Sequence, residues 1–536
     1  MRMHRFTRIV ARLLGLGDPQ RDTAEQIAGG EFANAIRPIA NENTRDALRR
    51  ILPHIFTKSA ESALAAMSAI AAVVTASPAD DLPWIEEFVR SAWRVSWREP
   101  VIVQDLLRST GKLSADVIGV LSFHPSGFVR EAAVKRLGAL ADGSEVRYLL
   151  LRLNDWVPQV REAARLAVLA RLRADYVTAF TRNFTLFERA IRAGRVEVAT
   201  VQDLASVLGT DEGSAAIVAA IKSGTRRSAR AVARFVIDRV PTGLPAVVHV
   251  GAEADDPVIR MWVTPYVSQV MPCEEASPLL QRLATDSSPV VRRTSLTAFS
   301  QSFQHEALAS LQQAVVDASA SVRQTARFML RPLKIDFRLV YTSAISSAAT
   351  SRQLANAIAG LAEVGAAPDA QTAAPYLRHL SARVRRAAVK CVMQLSGPAF
   401  VERAFGMLQD VSRRVSAAAR DSLRPYTTVL GRAPLEELVA QSPWLHARLN
   451  AVHLLPHLGK WESITGLLYA TIAADHEVAA LAKGYVQAWS RNYNRSQTPP
   501  SSRQIDELNS ALAKAEGVLD PSAVAEVRFT LRAFST

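Results

Sequence analysis

The sequence predicts an all-α fold of solenoid type, and three observations predict it. The stretch Asp286–Ser300 reads as a turn followed by an amphipathic helix, and its pattern returns at a constant step along most of the chain. Apolar residues within each copy fall at helical rather than alternating spacing. Strand-type runs of Val, Ile and Thr are scarce, although 49% of the 536 residues are hydrophobic.

The copies register on the Arg of a Val-Arg pair, or on the residue in its place. These slots are Arg130, Arg161, Arg230, Arg260, Arg292, Arg323, Leu354, Arg385, Ser416, Arg448 and Ala479. From Arg230 onward the steps are 30, 32, 31, 31, 31, 31, 32 and 31 residues. A fixed period of this length marks stacked units, each too small to bury its apolar face alone. A small residue stands three positions after most slots: Ala133, Ala164, Ala233, Ser295, Ala326, Ala357, Ala388, Ala419, Ala451 and Ala482. Small residues there let two helices approach closely. The step from Arg161 to Arg230 is 69 residues, so an irregular or enlarged repeat is expected between about 175 and 225.

Each unit has room for two helices. The second is the clearer one, with Val129, Ala133, Leu137 and Leu140 on one face, and likewise Val322, Ala326 and Leu330. Asp155, Asp286, Asp317 and Asp410 precede such helices and are read as acceptors for the free N–H groups of the first turn. Pro158 and Pro289 suit a first helical turn, where no backbone donor is lost.

On these residues the units resemble HEAT repeats, and the short form is similar to the HEAT-like repeats named after phycobilisome lyases. The resemblance covers roughly 113–491 and implies a superhelix of about twelve helix hairpins with atypical helical caps. It also implies a stacked ladder between an Asp in the inter-helix turn and an Arg on the second helix. Asp155/Arg161, Asp286/Arg292 and Asp317/Arg323 match that pattern. Ser416 and Ala479 depart from it, so the ladder is expected to break towards the C-terminal end. The resemblance implies a fold and no particular activity.

The organisation predicted from these signals is a basic amphipathic helix over 1–20, an N-terminal helical cap or degenerate repeats over 21–112, the array over 113–491, and a linker with a C-terminal helical cap over 492–536. Two last helices are expected at 503–516 and 521–533, parted by Gly517 and Asp520-Pro521. Terminal units of a solenoid cover an exposed end of the core and are often atypical.

Composition bounds the function. The formal net charge is +14, which suits nucleic acid, an anionic surface or an acidic protein partner. Cys273 and Cys391 are far apart in sequence, are read as core residues, and fit a reducing compartment. The expected location is cytoplasmic. No uninterrupted apolar run reaches the length of a membrane span. Residues 1–17 fail as a secretion signal because Arg12 interrupts a short apolar run; peripheral membrane contact by this helix is the lesser reading beside packing on the first repeat.

Two kinds of candidate contact stand out. Trp93 and Trp97 share a helix face beside Arg90, Arg94 and Arg98, a pairing that suits stacking or a partner groove, against a plain core role. Arg226, Arg227 and Arg234 lie in one basic run, with only Asp238 against them locally. Arg383, Arg386, Arg413 and Arg414 fall in neighbouring repeats and would form one basic strip. The competing reading gives some of these arginines to the ladder and the rest to solvent.

Enzyme signals are absent: no Walker-type phosphate loop, no His-Glu-x-x-His, no Cys-x-x-Cys and no Gly-x-Ser-x-Gly. His446, His453 and His457 are the best metal candidate, but Pro456 interrupts their helix and no Cys or carboxylate completes a set. No catalytic residue, cofactor or metal is assigned. The leading expectation is a non-catalytic scaffold or regulator that binds a protein partner along a curved surface. The alternative is a nucleic-acid-binding solenoid using the basic strips. A third reading, an enzyme of DNA-glycosylase or lyase type, finds no catalytic acid or reactive Cys to rest on. Oligomeric state is not legible.

Overall fold

The structure, a computed structural model, describes residues 42–56, 60–95, 113–491 and 498–532. The basic N-terminal helix expected over 1–20 and Trp97 lie outside these residues. The chain divides into two compact units, Met1–Ala298 and Phe299–Thr536. Both are built from helices, with no strand among the described residues.

In the first unit, helices Thr44–Ile51, Ala60–Ala76 and Leu82–Val95 precede the repeats. Pairs then follow: Ala115–Leu121 with Gly127–Gly138, then Val146–Arg152 with Pro158–Leu169. The stretch expected to be irregular holds four helices: Val177–Arg182, Phe184–Arg192, Val198–Leu208 and Asp211–Ser223. Its first helix breaks at Asn183, so one unit there is longer than its neighbours. Helices Arg226–Arg239, Leu244–Ala252 and Pro257–Val263 continue the array.

In the second unit, the pairs include Gln304–Ala314 with Ala320–Met329, Phe337–Ser346 with Ser351–Val364, and Leu445–Leu454 after Ala433–Gln441. The long element Ala382–Gly406 is two helices joined at a kink, with Ser396 at φ −149° and ψ 52°. Pro398 accounts for the break: it lacks an N–H for the carbonyl four residues back, and its ring crowds that carbonyl. Helices Ser502–Ala515 and Pro521–Arg532 end the described chain. The first opens with a capping box in which Ser501 and Gln504 satisfy each other's backbone donors.

The small residue after each slot sits where two helices meet. Ala164, Ala233, Ser295, Ala326, Ala388, Ala419, Ala451 and Ala482 are fully buried. The apolar residues one turn either side are buried with them, as at Val160 and Val168. This continuous apolar seam is what a solenoid has in place of a single globular core.

The Asp–Arg ladder is present, but it is wired differently from the pairing expected within each repeat. Most slot arginines donate to the backbone carbonyl six residues earlier, including Arg161 to Asp155 at 2.8 Å, Arg292 to Asp286 at 2.8 Å and Arg323 to Asp317 at 2.6 Å. The carboxylate instead receives the Arg of the preceding repeat. Arg130 reaches Asp155 (2.8 and 2.9 Å), Arg260 reaches Asp286 (2.7 and 2.9 Å) and Arg385 reaches Asp410 (2.7 and 2.8 Å). Arg230 with Asp256 and Arg448 with Asp475 repeat the link. Each Asp also accepts the N–H two residues on, as Asp155 does from Val157 and Asp317 from Ser319. At Asp155 and Asp286 this closes a turn just before the helix rather than capping its first turn. One carboxylate therefore ties a turn, a helix entry and the neighbouring unit.

The ladder is interrupted rather than ended at Ser416. There Ser416 Oγ donates to the Leu408 carbonyl at 2.5 Å, and His446 Nε2 takes the Asp410 carbonyl at 2.8 Å. Arg448–Asp475 then resumes the link at 2.9 Å.

Three ladder carboxylates, Asp155, Asp256 and Asp286, are held below the usual carboxylate range. The hydrogen bond from Arg230 keeps Asp256 below the usual carboxylate range. At Asp155 and Asp286 burial pushes upward most strongly, but the Arg hydrogen bonds, the backbone N–H groups and the nearby guanidinium charges together outweigh it, so both also lie low. A depressed carboxylate pKa stabilises the fold above the unfolded value of about 3.9, and that contribution is lost as pH falls through the folded value. The chain is expected to lose stability steeply below about pH 4. A denaturant midpoint that stays flat from pH 5 to pH 2.5 would contradict the ladder's role.

Candidate binding groove on the second helices

Within the second unit, four successive second helices place their exposed faces side by side: Ala320–Met329, Ser351–Val364, the first part of Ala382–Gly406, and Arg413–Leu423. Between them lies a groove of about 630 Å³. Ala355, Ala359 and Ala362, at helical spacing, form part of its floor. Arg383, Arg386 and Lys390 stand on one helix at intervals of three and four residues, so they share a face. Gln394 follows one turn on, and Arg414 enters from the next repeat.

Apart from Arg323, the cations of this groove have no carboxylate to pair with among the described residues, because nearby acids are already engaged. Glu363 is bound by Arg323, and by Arg327 at 2.7 Å. Arg338 holds Asp369 at 2.6 Å, and Arg385 holds Asp410. Arg383, Arg386, Lys390, Arg413 and Arg414 make no ion pair among the described residues and are exposed. The groove lining thus carries five cations, Arg323 included, against the single carboxylate of Glu363.

The basic run in the first unit is built differently. Arg226 and Arg230 both approach Asp256, at 4.0 and 2.6 Å, and Arg227 lies 3.9 Å from Asp80. Arg234 pairs with Asp238 at 2.9 Å and lies against the Trp262 ring. These arginines remain exposed, yet each faces an acid, two of which come from distant sequence. The two basic regions are therefore unlike: one is locally neutralised and the other is not.

Trp93 is buried, 5% exposed, with its ring 5.2 Å from that of His124. It is not a surface aromatic. Arg90, read from sequence as part of a solvated stripe, is buried and donates to the Phe123 carbonyl at 3.2 Å and to Glu86. The exposed ring of this region is Trp156, which lies over the guanidinium groups of Arg90 and Arg130 at 4.4 and 4.1 Å. Beneath it, Arg152 bridges Glu86 and Asp155. Nothing in the spacing of Arg90, Arg152 and Trp156 marks them as partners, since three separate helices and turns bring them together.

The three histidines at 446–457 do not converge. His446 is bound to the Asp410 carbonyl and His453 Nδ1 to the Tyr485 hydroxyl at 2.8 Å, while the helix ends at Leu454. No group of three or more His, Cys, Asp or Glu among the described residues could hold a metal ion. Both cysteines are free; Cys391 is buried, which pushes its thiol up to about 12, but Cys273 is exposed at a helix start rather than in the core. No single helix among the described residues is long and apolar enough to cross a membrane.

No family model matches the sequence. No curated protein matches it either. Solved structures similar over most of the chain include importin beta in an ammonium sulfate condition, at 12% identity, covering 98% of this chain and 87% of that one, with a TM-score of 0.33. The karyopherin Kap121p bound to the extreme C-terminus of the phosphatase Cdc14p gives 12% identity, 97% and 62% coverage, and a TM-score of 0.38. Kap95p with RanGDP gives 10% identity, 99% and 67% coverage, and a TM-score of 0.34. At these values the similarity bears on neither fold nor function here. The solenoid architecture rests on the helix pairs and ladder described above.

Proposed function

We propose that this chain is a non-catalytic scaffold that binds a protein partner along the exposed faces of its second helices. The observation that carries the reading is the groove at 318–414, where cations without an acid partner stand on packed second helices above an alanine floor. Cations left without acids keep solvation that a partner's acids can replace, and complementary charge sets register and encounter rate. A braced helix face loses little freedom on binding, which favours affinity from many modest contacts.

A photo-crosslinking amino acid at Gln394, an exposed groove position, tests this in the host cell. The expected result is a discrete protein adduct that is absent when the same group replaces exposed Arg173 in the first unit. Adducts to nucleic acid alone, or none from Gln394, would overturn the reading.

A further inference from the structure

The geometry points to a specific ligand chemistry for the groove: an extended protein segment in which acidic residues alternate with small apolar ones. This rests on the scaffold reading of the same site and narrows it.

Arg383, Arg386 and Lys390 rise along their helix by about 4.5 and 6 Å at 1.5 Å per residue. An extended chain advances about 6.6 Å every second residue, with side chains on opposite faces in turn. Acids at every second position of such a segment meet this wall of cations, and the residues between them meet the opposite surface. That surface is Ala355, Ala359 and Ala362, which leaves room for small apolar side chains and close approach of a main chain. Guanidinium groups accept carboxylates in a two-pronged fit that fixes direction as well as charge. Gln394 and Ser412 add an amide and a hydroxyl for main-chain groups.

The same lining disfavours nucleic acid. It contains no aromatic residue, and single strands are held in large part by stacking on aromatic rings. Glu363, although bound by Arg323 and Arg327, places a carboxylate at one end of the groove and opposes a continuous run of phosphates.

The test is fluorescence anisotropy on the full chain with four labelled probes: a peptide of alternating Asp and Ala, its Asn–Ala counterpart, an oligouridine RNA and a DNA duplex of matched charge. Each is titrated over a salt series. The acidic peptide is expected to bind more tightly than the other three, and more weakly as salt rises. A variant with Arg383→Ser, Arg386→Ser, Lys390→Ser and Arg414→Ser is expected to lose at least about tenfold in affinity, at roughly two- to fivefold per exposed cation, with an unchanged circular dichroism spectrum. Equal binding of the Asn–Ala peptide, tighter binding of either nucleic acid, or full affinity in the variant would overturn the inference. A protein adduct from Gln394 without acidic-peptide binding overturns this inference alone and leaves the scaffold reading standing. Absence of both overturns the two together.

Discussion

Replacing Asp155 with alanine is expected to lower the unfolding free energy by about 3–5 kcal/mol, the usual cost of removing one partner from a buried ion pair. Asp155 and Arg130 are both fully buried at their side chains. The carboxylate receives two hydrogen bonds from Arg130 and one from Arg152, and it accepts the Val157 N–H. Its loss leaves the buried Arg130 with the His124 and Pro125 carbonyls and Arg152 with Glu86, which Arg90 also binds, so neither guanidinium keeps a carboxylate of its own. Asp155→Asn keeps the shape and some hydrogen bonds but removes the charge, so most of the loss should persist. Chemical denaturation of both variants checks this. A loss below about 1 kcal/mol in both would mean that water or rearrangement meets the need of these arginines, and that the ladder is not structural here.

The second large effect concerns close packing. A Cβ built on Gly360 lies 2.0 Å from Cε1 of Tyr341, a ring that is fully buried. The ring cannot swing away cheaply, because its hydroxyl donates to the Val315 carbonyl at 2.8 Å and accepts from Arg327 at 2.7 Å. Gly360→Ala is expected to cost about 1–3 kcal/mol through overpacking. The same substitution in a Tyr341→Leu background should cost much less, because the obstructing ring is gone. Equal costs in the two backgrounds would show that helix separation, not the ring, sets the limit.

The architecture was legible because most units solve one packing problem with one residue type. The small residue after the slot and the apolar residues a turn away recur in most units, and in several an Asp closes the turn before the second helix. The wiring of the ladder was not legible. A pairing of Asp and Arg within a repeat and one between repeats have the same sequence signature, and only the stacking shows that Asp155 belongs to Arg130. The core role weighed for Trp93 holds, but burial was hidden at Arg90, because a stripe of arginines beside a buried ring looks the same whether it meets solvent or a neighbouring turn. For the basic strips the sequence showed where charge accumulates but not which charges are spent. Asp80 and Asp256 come from outside the local run to meet Arg227 and Arg226. Arg383, Arg386 and Arg414 have no such visitor, since Glu363, Asp369 and Asp410 are taken by other arginines. The alanine floor went unrecognised because alanine at helical spacing reads first as core.

The arginines of the second unit divide into those that hold the repeats together and those left for a partner. The most direct test is a pair of thermal melts followed by circular dichroism. One uses Arg385→Ala, which removes a ladder member only two residues from Arg383. The other uses the fourfold serine variant at Arg383, Arg386, Lys390 and Arg414. The single ladder substitution is expected to lower stability by at least about 2 kcal/mol, while the fourfold variant melts as the parent does or slightly higher, relieved of like-charge repulsion. A fourfold variant that unfolds, or an Arg385→Ala chain as stable as the parent, would contradict this division.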